Sequence, residues 1–140
     1  MKETVETITV INRWYNTSTG LDDWIPTVIA GVSWHSKLTA AVTQTGLKAA
    51  DTLVVRIPTS ADTSGRVYMD PAAYKKAESV SGAFTLAHGD LIVRGTVTQT
   101  GQTPLTPAQV QAENADCFTI VSVGDNTRRP NAPHWRVSGI

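Results

Sequence analysis

The 140-residue chain has a single cysteine, Cys117, and three histidines. One cysteine excludes a disulfide framework and a cysteine-based zinc cluster. Beside Phe118 it reads as a small buried apolar residue. His35, His88 and His134 lie far apart and match neither HExxH nor a close His–His spacing, so no metal site is expected. Charge of one sign is missing too. Twelve basic residues meet twelve acidic ones, which leaves no formal net charge and none of the basic excess of a dedicated nucleic-acid binder. No apolar run approaches the roughly 20 residues of a membrane helix. The opening MKETVETITV has no apolar core of a secretory signal. There is no GxSxG elbow, no phosphate-cradling GxxxxGK[ST] loop, no internal repeat and no low-complexity tail. Asp22 and Asp23 are adjacent in a turn-like stretch, where neighbouring carboxylates point apart, so they read as a solvated loop and not as an acid–base pair. His88, in a His-Gly-Asp turn, reads as a solvent-facing residue. These absences lead to the expectation of one soluble domain over residues 1–140 that is not an enzyme, with no catalytic, metal-binding or cofactor-binding residues.

What is present is strand signal. Residues 5–15 alternate, with Glu6, Ile8, Val10, Asn12 and Trp14 on one face and Thr7, Thr9, Ile11 and Arg13 on the other. Residues 16–20 (NTSTG) form a turn by composition, and Asp22 and Asp23 extend it. Residues 24–34 read as the hairpin partner, with a bulge or bend at Gly31. Residues 50–58 give a buried strand ended by Pro58, and 59–67 a polar loop. Asp70 with Pro71, and Thr106 with Pro107, are N-cap and first-turn pairs that open two short helices. Lys75 and Lys76 sit late in the first, where they complement its dipole. Strands at residues 84–86, 90–97, 118–123 and 135–137 complete a mainly β chain. The pattern predicts a small β-barrel or sandwich of about six or seven strands with two short helices in its loops.

Two stretches stand apart. Leu38, Thr39, Ala40, Ala41, Val42, Thr43, Gln44, Thr45 and Gly46 are small and uncharged, with no clear period, and read as a long flexible loop or a poorly anchored strand. The closing segment, residues 128–139 (RRPNAPHWRVSG), is a stiff polar turn running into a last strand. Pro130 and Pro133 each fix φ and remove a donor. Trp135 and Val137 share one face of that strand and Arg136 and Ser138 the other. A rigid charged loop held on a sheet suits contact with a large surface. Arg128, Arg129, Asn131, His134, Trp135 and Arg136 are therefore the candidate interface residues, because Trp and Arg dominate interface hot spots. Trp14, Trp24, Trp34 and Trp135 otherwise read as fillers of a small barrel's core.

The order of these pieces carries a resemblance. TITVINRWY, GVSW at Gly31 to Trp34, RIP at Arg56 to Pro58, GDLIVRGTV, and NAPHW at Asn131 to Trp135 follow one another as in an uncharacterised family of short phage and prophage proteins of Gram-positive bacteria. The layout also resembles the head-closure, or stopper, neck proteins of tailed bacteriophages. That resemblance implies a small β-barrel that forms a ring, a dodecamer by family habit, beneath the portal and adaptor proteins. Such a ring seals the DNA-filled head, offers a docking platform to tail proteins, and surrounds packaged DNA without reading its sequence. It implies a virion location after synthesis in the host cytoplasm and no membrane contact. Residues 38–46 fall where stoppers carry a channel loop. The two short helices are larger insertions than the plainest stoppers carry. The neighbouring readings are a tail-completion or terminator protein and a capsid decoration protein. From another class, there is a small ligand- or carbohydrate-binding barrel that uses exposed tryptophans as platforms.

Overall fold

A computed structural model describes residues 6–43, 46–77, 79–80, 82–97, 106–114, 116–128 and 130–139, with backbone pairing alone for 35–52. The strands are β1 (Glu6–Asn16), β2 (Leu21–Thr43), β3 (Gly46–Pro58), β4 (Val67–Tyr68), β5 (Ala83–Phe84), β6 (Leu91–Arg94), β7 (Cys117–Asn126) and β8 (His134–Gly139). Six of them close into a barrel in the order β1-β2-β3-β8-β7-β6, with every neighbouring pair antiparallel. β4 and β5 form a separate parallel pair. The chain is thus mainly β and barrel-forming, as its alternation predicts, with eight described strands where six or seven were expected.

The alternation of β1 explains how it is packed on both sides. Ile8 and Val10 enter the barrel interior with Ile29, Val55, Ile57, Ile92, Phe118, Ile120 and Val137. Ile11, on the opposite face, is covered by helix α2 (Pro107–Glu113) through Val110, together with Leu91 and Val93. Helix α1 (Pro71–Lys76) lays Tyr74 against Val80 and Ala83, with Trp14 and Ile25 beside them. Both helices start as the sequence indicates. The Asp70 side chain accepts from Ala72 N, and the Thr106 hydroxyl accepts from Gln109 N, with proline in the first turn of each. All four tryptophans pack against these clusters while remaining partly exposed.

Three local readings need correction. Asp22 and Asp23 do not extend the turn; they lie in β2, opposite Tyr15 and Trp14, where Asp22 meets Arg13 at 3.9 Å and Asp23 accepts from Asn16 at 3.0 Å. Their polarity reflects a strand end at the surface. Cys117 is half-buried, not buried, and flanks the α2 cluster. Residues 38–43 and 46 are not a loop; of the two readings the strand holds, as paired backbone described below. The Gly31 bulge is present: pairing jumps from Thr7↔Ala30 to Glu6↔Val32, and Gly31 takes φ +88°. A second bulge skips Val121, which turns out to solvent.

The barrel closes through its last strand, since β8 is inserted between β3 and β7. At Gly139 β8 leaves no room beside β7: a methyl there would fall on the Thr119 carbonyl and the Phe118 ring. Backbone cannot yield as a side chain does, so Gly139→Ala is expected to destabilise the fold by about 2–4 kcal/mol. Urea unfolding measures this. A change within about 0.5 kcal/mol would mean that β8 is not locked at this point.

Candidate functional site

Three features lie outside the needs of barrel packing. The first is the connection from β7 to β8. Its strands end at the Asn126↔His134 pair, and the segment between carries the charged residues singled out in the sequence. The Asp125 carboxylate accepts from Thr127 Oγ1 at 2.6 Å and Thr127 N at 2.9 Å. Those bonds, with Arg128 nearby, hold it below the usual carboxylate range. Pro133 O accepts from Thr59 N at 3.1 Å, which pins the segment to the end of β3. Ala132 adopts φ +49°, a left-handed conformation uncommon for a residue with a Cβ. His134 Nδ1 lies 2.8 Å from Ala132 O and Nε2 lies 3.5 Å from Asn126 Nδ2, which fits the tautomer with the proton on Nδ1. The stiffness expected from the prolines is therefore reinforced by backbone anchors.

Arg128, Asn131 and Arg136 are exposed here, and His134 and Trp135 are half-buried; Arg129 lies outside the described residues. Trp135 leans inward, with the Tyr68 ring edge-on at 4.7 Å and Phe84 at 6.4 Å. Arg136 faces out, directly across from the exposed Arg56 of β3, with Gly124 on its other side. Among the described residues neither arginine has a carboxylate partner. Like charges opposite one another on a sheet are unfavourable in isolation and favour an anionic neighbour.

The second feature is an arm. β2 loses its β1 partner beyond Val32, and β3 gains its β8 partner only from Leu53. Among the described residues the two strands pair with one another alone from Lys37↔Thr52 to Thr43↔Gly46. At the usual strand rise, the segment from Lys37 to Thr43 is roughly 20 Å long. Leu38 through Thr43, and Gly46, belong to this ladder, while Gln44 and Thr45 lie outside the described residues.

The third feature was not legible as a site. A cleft of about 250 Å³ lies between α1, the end of β1 and residues 85–90. Asp90 stands in it, only 3% exposed, with Oδ2 accepting from Asn12 Nδ2 at 2.8 Å and Oδ1 from Arg13 N at 3.1 Å. Asp90 follows the turn at His88 and Gly89, its N–H donating to Ala87 O at 3.1 Å, yet its side chain is buried; His88, two residues earlier, is exposed as expected. Asn12 also donates to Thr85 O at 2.6 Å and accepts from Thr85 N at 3.2 Å, so its carboxamide ties residues 85–90 to β1 as a neighbouring strand would. Burial pushes the Asp90 carboxyl up to about 6, against the lowering effect of its hydrogen bonds. Burial, then the nearby Asp90, also raises the Tyr74 phenol above its ordinary value. Tyr74 Oη and Trp14 Nε1, both from cleft-lining residues, are buried without a hydrogen-bond partner among the described residues. Thr85 Oγ1 is a third such atom; it influences the Tyr68 phenol without making a well-formed hydrogen bond. The only sequence trace of this arrangement is Asn12, a polar residue on the core face of β1, which must find partners when buried.

No group of three or more His, Cys, Asp or Glu among the described residues is placed to hold a metal ion. Among those residues no helix is long and apolar enough to cross a membrane. The chain belongs to a family of unknown function, DUF6751, whose pattern matches residues 3–140. No curated protein and no solved structure matches it.

The titration of Asp90 has a signed consequence. Between the ordinary value of 3.8 and about 6, the folded protein holds a proton that the unfolded chain has released. Folding stability therefore falls as pH rises through that window and is level above it. Asp90→Asn removes the dependence. The stability of the wild type relative to Asp90→Asn should drop by up to ~3 kcal/mol between about pH 4 and about pH 6.5, measured by urea unfolding at each pH. A difference that does not change with pH would contradict a buried carboxylate whose charge is disfavoured.

Proposed function

We propose that this chain is a virion structural protein of the phage head–tail interface, a head-closure subunit that forms a ring, seals the DNA-filled head and provides the tail docking platform. The observation that carries this reading is the arm. A two-stranded hairpin is at best marginally stable in water, and among the described residues this one has no third strand along its outer half. The barrel does not need it for closure. A segment of this kind acts on something beyond its own domain.

A ring subunit reaching into a channel supplies that role. Residues 38–46 are uncharged and Lys48, opposite Ala41, is the single charge in residues 38–50, so the arm tip offers little electrostatic hold on phosphates. Its unpaired outer edges offer backbone donors and acceptors to a strand of the adjacent copy, which would extend the ladder from subunit to subunit. Arg128, the segment pinned at Pro133, and the facing Arg56 and Arg136 provide a cationic surface for an acidic face of a neighbour in the portal–adaptor stack or the tail. This is assembly and gating by fitted surfaces and not catalysis. A ring of this sort uses head-to-tail contacts between unlike faces, which a closed barrel with an arm on one side can present.

The test is an arm truncation in which residues 39–50 are replaced by a two-residue turn. Because the described residues of that span pair only with each other, the truncated protein should unfold in urea within about 1 kcal/mol of the parent. Supplied in trans to a phage lacking the gene, it should nevertheless fail to keep DNA in heads. Full restoration of infectious particles by the truncated protein would remove the arm from the mechanism and with it the main support for a closure role.

A further inference from the structure

We infer that the outer face of β3 and β8 around Arg56 and Arg136 docks on the side of a second copy that carries Glu113 and Asp116, in a head-to-tail contact. This narrows the acidic neighbour of the arginine pair to the next subunit and leaves Arg128 to the stack or the tail. It rests on the ring reading only for closure of these contacts into a circle.

The arginines are placed by the strand period. Val55, Ile57 and Val137 enter the core, so Arg56 and Arg136, which alternate with them, point outward. They are register partners, which puts their Cα atoms roughly 5 Å apart with the side chains next to one another. The row across the sheet runs Ser33, Arg56, Arg136, Gly124, with no acid in it. Both arginines are exposed. Repulsion between like charges set opposite each other disfavours the lone subunit.

The complementary deficit lies on the opposite side of the barrel. In the closed order β1-β2-β3-β8-β7-β6, the seam between β6 and β1 is three strands from the seam between β3 and β8 in either direction. Helix α2 covers that far seam through Val110, which packs with Ile11, Leu91 and Val93. Its exposed Glu113 stands in the last turn, where there is no basic residue and the helix dipole is negative. The neutral Gln109 donates to it at 3.3 Å. Just beyond, the exposed Asp116 lies 3.8 Å from Arg94, whose guanidinium already donates to both carboxylate oxygens of Glu6. Glu6, Glu113 and Asp116 thus have one guanidinium between them.

Each patch is unfavourable alone, and each supplies what the other lacks. The whole chain has no formal net charge, so the surplus of one sign on one side is matched on the same molecule. A second copy is therefore the occupant that the charge pattern fits. Two arginine faces repel one another, so the contact is not a symmetric pair. Joining opposite sides of one subunit repeats from copy to copy, as a ring demands.

Sedimentation of the full chain tests this. At high protein concentration and about 20 mM salt the parent should form species larger than a dimer, and about 500 mM salt should disperse them. Arg56→Glu/Arg136→Glu and Glu113→Lys/Asp116→Lys should each weaken association about tenfold or more, because each makes both faces alike in sign. Combining the four changes returns the net charge to zero with the faces exchanged, and should recover association. Lys75→Glu/Lys76→Glu, on α1, has the same net charge as the first variant but leaves both faces intact, and should associate as the parent does. These readouts use no phage particle, so they stand or fall separately from the closure role. The proposal is overturned if the parent stays monomeric in low salt, if Arg56→Glu/Arg136→Glu associates as well as the parent, if Lys75→Glu/Lys76→Glu loses association equally, or if the combined variant does not recover it.

Discussion

Closure of the barrel by its last strand is the constraint on which the rest depends. Until β8 is inserted between β3 and β7, both of those strands present open edges and the interior cluster of Ile8, Val55, Phe118 and Val137 lacks a wall. Closure removes edges from the body of the molecule. The long unpaired strand edges that remain among the described residues then belong to the outer half of β2 and β3. The same event that completes the core therefore leaves the outer half of β2 and β3 with backbone hydrogen-bonding capacity open to a partner, and it places Pro133 against Thr59 at the start of the strand that does the closing.

A second joint organises the region between β3 and β6. The fully buried Asn12 carboxamide grips Thr85 through both backbone groups and steers Asp90 inward. Without it, residues 85–90 would have no strand-like contact with β1, and α1 would have less reason to lie where Tyr74 reaches the cleft. Burial of a carboxylate with only neutral hydrogen-bond donors costs stability at neutral pH.

The parts legible in the sequence are those with a buried face. Alternation in residues 5–15 and 118–123, and the run from Leu53 to Ile57, show strands because one side of each meets a core. The Asp70–Pro71 and Thr106–Pro107 pairs show helix starts because capping is local chemistry. The arm was illegible for the converse reason: Thr and Ala occupy residues 38–46 without a period of two, so no alternation marks a strand there. The cleft was hidden because Asp90 finds Asn12 across 78 residues of chain, and nothing near Asp90 announces that partner. Asp22 and Asp23 misled because adjacent acids are typical of turns, and here they begin a strand.

A barrel closed by its last strand, with an arm on one side and a stiff cationic surface at the β7–β8 connection, supports a reading in which shape and assembly are the function. The most direct test is electron microscopy of particles from a phage with an early stop codon in this gene. The account predicts heads that have lost their DNA, beside complete free tails. Full, tailed, infectious particles would contradict it.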